Sequence, residues 1–263
     1  MWLPNLLTNE PFLWLYDEDR TPESGTDGDN IDSTSSAARP FESMTSEKTT
    51  PTSITDHSGL AEQLLRVYED FADEFSRRDV PVHLSNVARE GKYLKGKKLG
   101  QHPERFVEQY LIWPTLELLG YEFWAQPYGY PKWDKTRPDF AIKNFDCGVD
   151  CAVIGEVKTP NKFEYGKEQM EDYLKSDLGE PTVGITTDGV RWKIEARPEK
   201  SPDLLEVVDV NFHDVVRKLP SRHEQRESYP THRTRQEMEM VEPLNREAVE
   251  NKATIALTKT VEE

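Results

Sequence analysis

The chain has 263 residues, a net charge of −16 at neutral pH and 35% hydrophobic residues. An apolar share below the roughly 45–50% of an ordinary globular chain excludes tight packing from end to end. Two cysteines, Cys147 and Cys151, are too few for a disulfide framework, and the acidic surplus opposes contact with a phosphate backbone.

Half of the negative charge lies in residues 1–60, which hold 3 basic and 11 acidic residues. Residues 1–58 are rich in Ser, Thr, Asp and Pro and have too few apolar groups to offset chain entropy, so this acidic N-terminal region is predicted to be largely disordered. The first sixteen residues, MWLPNLLTNEPFLWLY, differ. They are apolar, lack the basic start and cleavage site of a signal peptide, and are too short to span a bilayer. They are expected to dock on their own domain or on a partner. No longer apolar run follows, so a soluble, cytoplasmic protein without a membrane segment is expected.

The folded domain is expected over residues 59–219. Leu60, Leu64, Val67, Tyr68, Phe71 and Phe75 recur at helical spacing and predict an amphipathic helix over 59–78. Residues 81–100 then carry five basic residues (Arg89, Lys92, Lys95, Lys97 and Lys98) against Glu90. A local +4 in so acidic a chain either tracks a nucleic-acid backbone or is a solvated loop balancing the acidic helix. Residues 102–120 begin with Pro103 and end on Gly120. They predict a helix with Phe106, Tyr110, Trp113 and Leu116 on one stripe and a kink at Pro114.

A short strand at YEFWAQ precedes a loop containing Pro and Gly. The segments PDFAIK (138–143) and CAVIGEVK (151–158) read as strands joined by the turn-rich NFDCGVD. The second is apolar on both faces, as a central buried strand is. A helix is predicted over about 164–177, then a hairpin over 181–196 turning at Asp188–Gly189. A strand at LLEVVDVNF and a short helix at HDVVRKL follow. Residues 220–263 turn polar and are expected to form a tail, with a helix near 234–250 and a frayed end. This order predicts an α/β fold in which helices flank a mixed sheet.

The chemistry concentrates around GEVKTP. Strand side chains alternate, so Glu156 and Lys158 share a face about 7 Å apart, beyond the apolar Ala152 and Ile154. Charges at the end of an apolar face are costly unless compensated. An antiparallel pairing through the intervening turn brings Asp139 near Glu156. Two close carboxylates call for a cation, and hard oxygen ligands with room for water suit Mg²⁺, with Mn²⁺ as a substitute. Such an ion polarises a phosphate and lowers the pKa of a bound water, while Lys158 holds the attacking water or stabilises charge at phosphorus. The competing reading is a surface ion pair. The C-x3-C of Cys147 and Cys151 has no accompanying His or Cys at zinc-ligand spacing, so buried or turn-flanking thiols are expected there.

The segments RPDFAI, VIGEVKTP and GKEQMEDYL together resemble the PD-(D/E)xK nuclease superfamily, and more narrowly the N-terminal nuclease domain of type I restriction enzyme motor subunits. The likeness spans roughly residues 102–196. It implies a restriction endonuclease-like, three-layer α/β core. It matches Asp139 and Glu156 to metal ligands, Lys158 to the catalytic lysine, Glu108 to the helical glutamate, and Gln169 with Tyr173 to a Gln-x-x-x-Tyr helix. TTDGVRWKI resembles the family's Thr-(Asn/Asp)-Gly turn. Glu108 is matched as a ligand directly, through water or not at all, and Glu104 competes with it.

The resemblance implies a Mg²⁺-dependent endonuclease acting on DNA, in a restriction-modification or DNA-processing setting. No Walker loop or target-recognition segment is visible. Sequence specificity and DNA loading are therefore expected from a methyltransferase, helicase or other restriction-system partner, and a homodimer suits cleavage of both strands. The alternative is an inactive domain of the same fold acting as a nucleic-acid-binding or scaffold subunit. The six histidines are scattered and are expected to be structural or exposed.

Overall fold

Leu64, Tyr68, Phe71 and Phe75, three and four residues apart, turn one face of α1 (Leu60–Arg77) inward, and all four are buried. This describes the start of a computed structural model that covers residues 59–80, 84–92, 94–127, 130, 137–176, 180–217 and 236–258. The expectations for 1–58 lie outside the described residues.

The rings of Phe71 and Phe75 meet Phe106 at 5.4 and 4.8 Å between centroids, which joins α1 to the next long helix. Two short helices, α2 (Leu84–Glu90) and α3 (Gly96–Leu99), lie between them. The long helix runs through α4 (Pro103–Val107), a π-helical turn (Glu108–Ile112) and α5 (Trp113–Leu118). A kink was expected at Pro114. The turn just before it is π-helical, with the Trp113 N–H reaching the Glu108 carbonyl five residues back. Proline offers no N–H and crowds the carbonyl four residues earlier, so one loosened turn keeps the helix continuous. The Thr115 hydroxyl also donates to the Leu111 carbonyl at 2.7 Å.

The sheet has six strands in sequence order: β1 (Phe123–Ala125), β2 (Phe140–Ile142), β3 (Ala152–Val157), β4 (Thr182–Thr187), β5 (Arg191–Arg197) and β6 (Leu205–Asn211). All neighbours pair antiparallel except β3 and β4, which are parallel and linked by α6 (Phe163–Ser176). The fold is thus mixed α/β, with helices against a mixed sheet. Val153, Val157, Ile185, Trp192 and Ile194 face the core shared with α1 and α4–α5. Ile154 faces a smaller cluster with Met170, Tyr173 and Leu174 of α6.

The β4–β5 hairpin turns at Asp188–Gly189 as expected. Gly189 has φ +82°, and a Cβ there would strike Leu111 of the π-helical turn. Glycine is required on both counts. The buried Asp188 carboxylate accepts from Val190 N–H at 3.0 Å, Arg191 N–H at 2.8 Å and Asn161 N–H at 3.2 Å. A short helix, α7 (His213–Val216), follows β6.

The C-terminal stretch departs from the expected polar tail. Residues 236–238 are helical, and a 3-10 turn (Glu239–Leu244) leads into α8 (Arg246–Thr258), so the helix expected near 234–250 is met in part and runs on to Thr258. Val241, Leu244, Val249, Ala253 and Leu257 are all in the main core. The spacing of Val249, Ala253 and Leu257 is helical, but Ala253 is small and Ile255 is exposed on another face, so the inward stripe is narrow. Asn245 marks the helix start, its side chain accepting from the Glu247 N–H at 3.1 Å.

Cys147 and Cys151 flank the turn between β2 and β3 as free thiols, their sulfurs 2.7 Å apart. Cys147 is buried and Cys151 half-buried.

Candidate active site

β2 and β3 pair with Phe140 opposite Gly155 and Ala141 opposite Ile154, which sets Asp139 beside Glu156. The Asp139 N–H donates to the Gly155 carbonyl at 2.9 Å, and Asp139 Oδ2 accepts from the Val157 N–H at 2.7 Å. These bonds tie one carboxylate oxygen to the backbone of the strand that carries Glu156. Lys158, at the end of the same strand, donates from Nζ to Glu156 Oε1.

Glu156 is 1% exposed, and its Oε2 is buried without a hydrogen-bond partner. An ionised oxygen in that state is expensive. Burial, followed by the charge of Asp139, pushes the Glu156 carboxyl up to about 8, against the pull of Lys158. Burial also raises Asp139, despite the opposing Val157 N–H and Lys158. Lys158 is raised overall because its bond to Glu156 and the surrounding carboxylates outweigh the lowering effect of its own burial.

Glu108 approaches from the π-helical turn. It is 3% exposed, accepts from Arg105 Nη1 at 2.7 Å, and is raised by burial against the pull of Arg105, with Asp139 adding to the rise. Glu104, one turn earlier and half-buried, contributes its charge to Glu108, Asp139 and Glu156. Both glutamates therefore stand at the sheet end occupied by Asp139, but only Glu108 is deeply buried. Among the described residues no three His, Cys, Asp or Glu side chains converge closely enough to hold a metal on their own.

α6 closes the site from the other side of the strands. Gln169 Nε2 donates to the Tyr173 hydroxyl, so its amide is engaged with the tyrosine and not with Lys158. Burial raises Tyr173, and the charges of Glu156 and Asp139 add to this. The two residues share a helix face turned toward the carboxylates, consistent with their i, i+4 spacing.

Two contributors escaped the sequence reading. Gly166 lies where a Cβ would meet Lys158 Cγ at 2.9 Å, Thr186 Cγ2 at 3.3 Å and Glu156 Cγ at 3.7 Å. Its signal was a glycine inside a helix, which lowers helix stability and calls for a packing reason. Thr186 is opposite Glu156 in the parallel register, 1% exposed, with its hydroxyl unpartnered. Nothing local marks it, since only the β3–β4 register brings it to the site.

No family model matches the chain, and no solved structure matches it at a significant level. A stretch of 117 residues, 44% of this chain, is 26% identical to a protein of Methanocaldococcus jannaschii named "Putative type II restriction enzyme and methyltransferase". The chain spans about 10% of that protein's length. Part of this sequence is thus similar to a restriction-system protein. Among the described residues no helix is long and apolar enough to cross a membrane.

Proposed function

We propose that the chain is a restriction endonuclease-like nuclease domain of the PD-(D/E)xK type that hydrolyses DNA phosphodiester bonds with Mg²⁺. The single observation carrying this reading is the buried Asp139–Glu156–Lys158 group at the sheet end, with Glu156 Oε2 lacking any partner. The Lys158 pair satisfies only Oε1, so burying Oε2 carries a desolvation cost that a bound cation would offset.

The donor set fits a hard divalent cation. Asp139 and Glu156 are the oxygen ligands, and Glu108 is a further ligand directly or through water. Mg²⁺ suits one or two carboxylates completed by waters and substrate phosphate, so a closed all-protein cage is not required. Bound there, Mg²⁺ supplies Lewis acidity toward the phosphate and a lowered pKa for a coordinated water. Asp139 is held in place by the Val157 N–H. Lys158, kept cationic by its carboxylate neighbours, stabilises negative charge growing on phosphorus and orients the attacking water. Tyr173, positioned by Gln169, borders the same space and offers a hydroxyl to a phosphate oxygen.

The similarity to a restriction enzyme joined to a methyltransferase supports a restriction-modification setting with DNA as substrate and a methyltransferase as partner. The narrower likeness to type I motor subunits rests on motif order alone. A second reading, a non-catalytic nucleic-acid-binding or scaffold domain, is favoured by the direct Lys158–Glu156 pair and by the absence of a three-group cluster among the described residues.

Plasmid nicking with Mg²⁺, with EDTA as control, tests the proposal. Cleavage by wild type and its loss by roughly 10³-fold or more in Asp139→Ala and Lys158→Ala supports it. Equal activity in those variants, or none in wild type, refutes it. Calorimetry with Mn²⁺ separates the second reading, since a non-catalytic domain shows no binding event that Glu156→Gln removes.

A further inference from the structure

The basic stretch of residues 89–98 packs at its start against the loop that leaves β3 just beyond Lys158. At its start, Gly91 approaches the loop that follows β3: a Cβ on Gly91 would be 2.9 Å from the Pro160 carbonyl. The Asn161 side-chain amide also donates to the Val87 carbonyl at 2.9 Å. Pro160 is two residues beyond Lys158. Past its end, the chain enters α4, whose Glu104 and Arg105 act electrostatically on Asp139. Arg78 anchors the far end through the Leu99 carbonyl, while its guanidinium lies 4.8 Å from the Phe106 ring centroid.

Between these anchors the side chains sort by charge. Leu94 and Leu99 are buried, whereas Lys95, Lys97 and Lys98 are exposed. Those three lysines form no ion pair with another described residue. Arg89 and Lys92 share Glu90 as a partner. Lys162 is likewise exposed, on the loop after β3 that Gly91 approaches. In a chain of net charge −16, this cluster of cations is opposite in sign to the chain as a whole. Two of the acidic residues of α1, Glu62 and Glu74, already pair with Arg66, Arg77 and Arg78 and so do not call on these lysines.

We infer that Lys95, Lys97 and Lys98 form a phosphate-tracking surface that lays a DNA backbone across the site. The inference rests on the nuclease reading above and adds a location for the substrate. Exposed lysines on a short anchored segment suit a backbone contact without base recognition: flexible point charges neutralise phosphates and release counterions. Such a surface also answers how an acidic protein approaches DNA, since local charge governs contact once salt screens the rest over about 8–10 Å.

Binding of a fluorescently labelled DNA duplex is measured by anisotropy across a salt series, with EDTA present so that nothing is cut. The Lys95→Ala/Lys97→Ala/Lys98→Ala variant is expected to bind roughly 10- to 100-fold more weakly at low salt, with its salt slope reduced by about 2 to 3. The arginine triple variant at the same positions should keep wild-type slope, and removing Lys175, Lys200 and Lys252 should change it far less. Circular dichroism verifies folding, and the single variants Lys95→Gln, Lys97→Gln and Lys98→Gln, each expected to reduce the salt slope by about 1, carry the test should the alanine variant unfold. Unchanged affinity in the alanine variant, an equal loss in the control triple, or no DNA binding by wild type overturns the surface. Wild-type binding without Mg²⁺-dependent nicking leaves the surface standing and removes the nuclease reading instead.

Discussion

The two faces of β3 obey different rules. One presents Val153, Gly155 and Val157 to Phe140 and the helices of the main core. The other begins with Ile154 against Met170 and Leu174, then ends in Glu156 and Lys158. The same six-residue strand is therefore a stabilising element on one side and a costly one on the other. Burial on the first face is repaid by contact, whereas on the second a carboxylate is buried with one oxygen unsatisfied. The cost persists on the face where an ion and a phosphate could offset it.

The largest expected effect breaks the apolar face. Phe140→Ala removes a fully buried ring that meets Trp113 and Phe123, and should lower unfolding free energy by about 3–5 kcal/mol in urea titrations. That loss should be insensitive to pH and Mg²⁺.

The charged face should respond to pH. In the unfolded chain Glu156 titrates near its ordinary value, but in the fold it is pushed up to about 8. The folded state holds the proton more tightly, so stability is greatest below about pH 4.5, falls as pH rises toward 8 and then levels. Glu108 and Asp139 are shifted in the same direction. In metal-free buffer Glu156→Gln should remove most of this slope and, at pH 8, raise stability by on the order of 3 kcal/mol. A wild-type melting temperature that climbs between pH 5 and 8 would contradict the electrostatic account.

Smaller changes sharpen the contrast between stability and chemistry. Gly166→Ala should displace the Lys158 stem and reduce plasmid nicking by about 10- to 100-fold, while thermal unfolding shifts by no more than about 1 kcal/mol. The smallest effect is expected for Thr186→Val. Replacing an unpartnered buried hydroxyl should leave stability unchanged or increase it by up to about 1 kcal/mol in the same melts. A marked loss would mean that the hydroxyl has a partner in solution.

Much of the sheet could be read from patterns. β3 announces itself by an apolar run, and the β4–β5 hairpin by Asp188–Gly189 between apolar segments. α8 was misread because its inward stripe is narrow and includes an alanine, so polarity averaged over 220–263 hid the core residues within it. Glu104 and Glu108 could not be ranked from spacing: both lie on one helix, and their difference in burial depends on the π-helical turn and on what packs against it.

Local periodicity and turn chemistry are properties of neighbouring residues, so the sequence alone determined the strands around Asp139 and Glu156, their alternation and the helix bearing Gln169 and Tyr173. Only tertiary structure decided that Thr186 stands beside Glu156, that Gly166 makes room for Lys158, and that Val87 and Gly91 pack against the loop after β3. Those relations arise from strand register, helix docking and burial. Each is set by contacts between segments far apart in the chain, which no local pattern encodes.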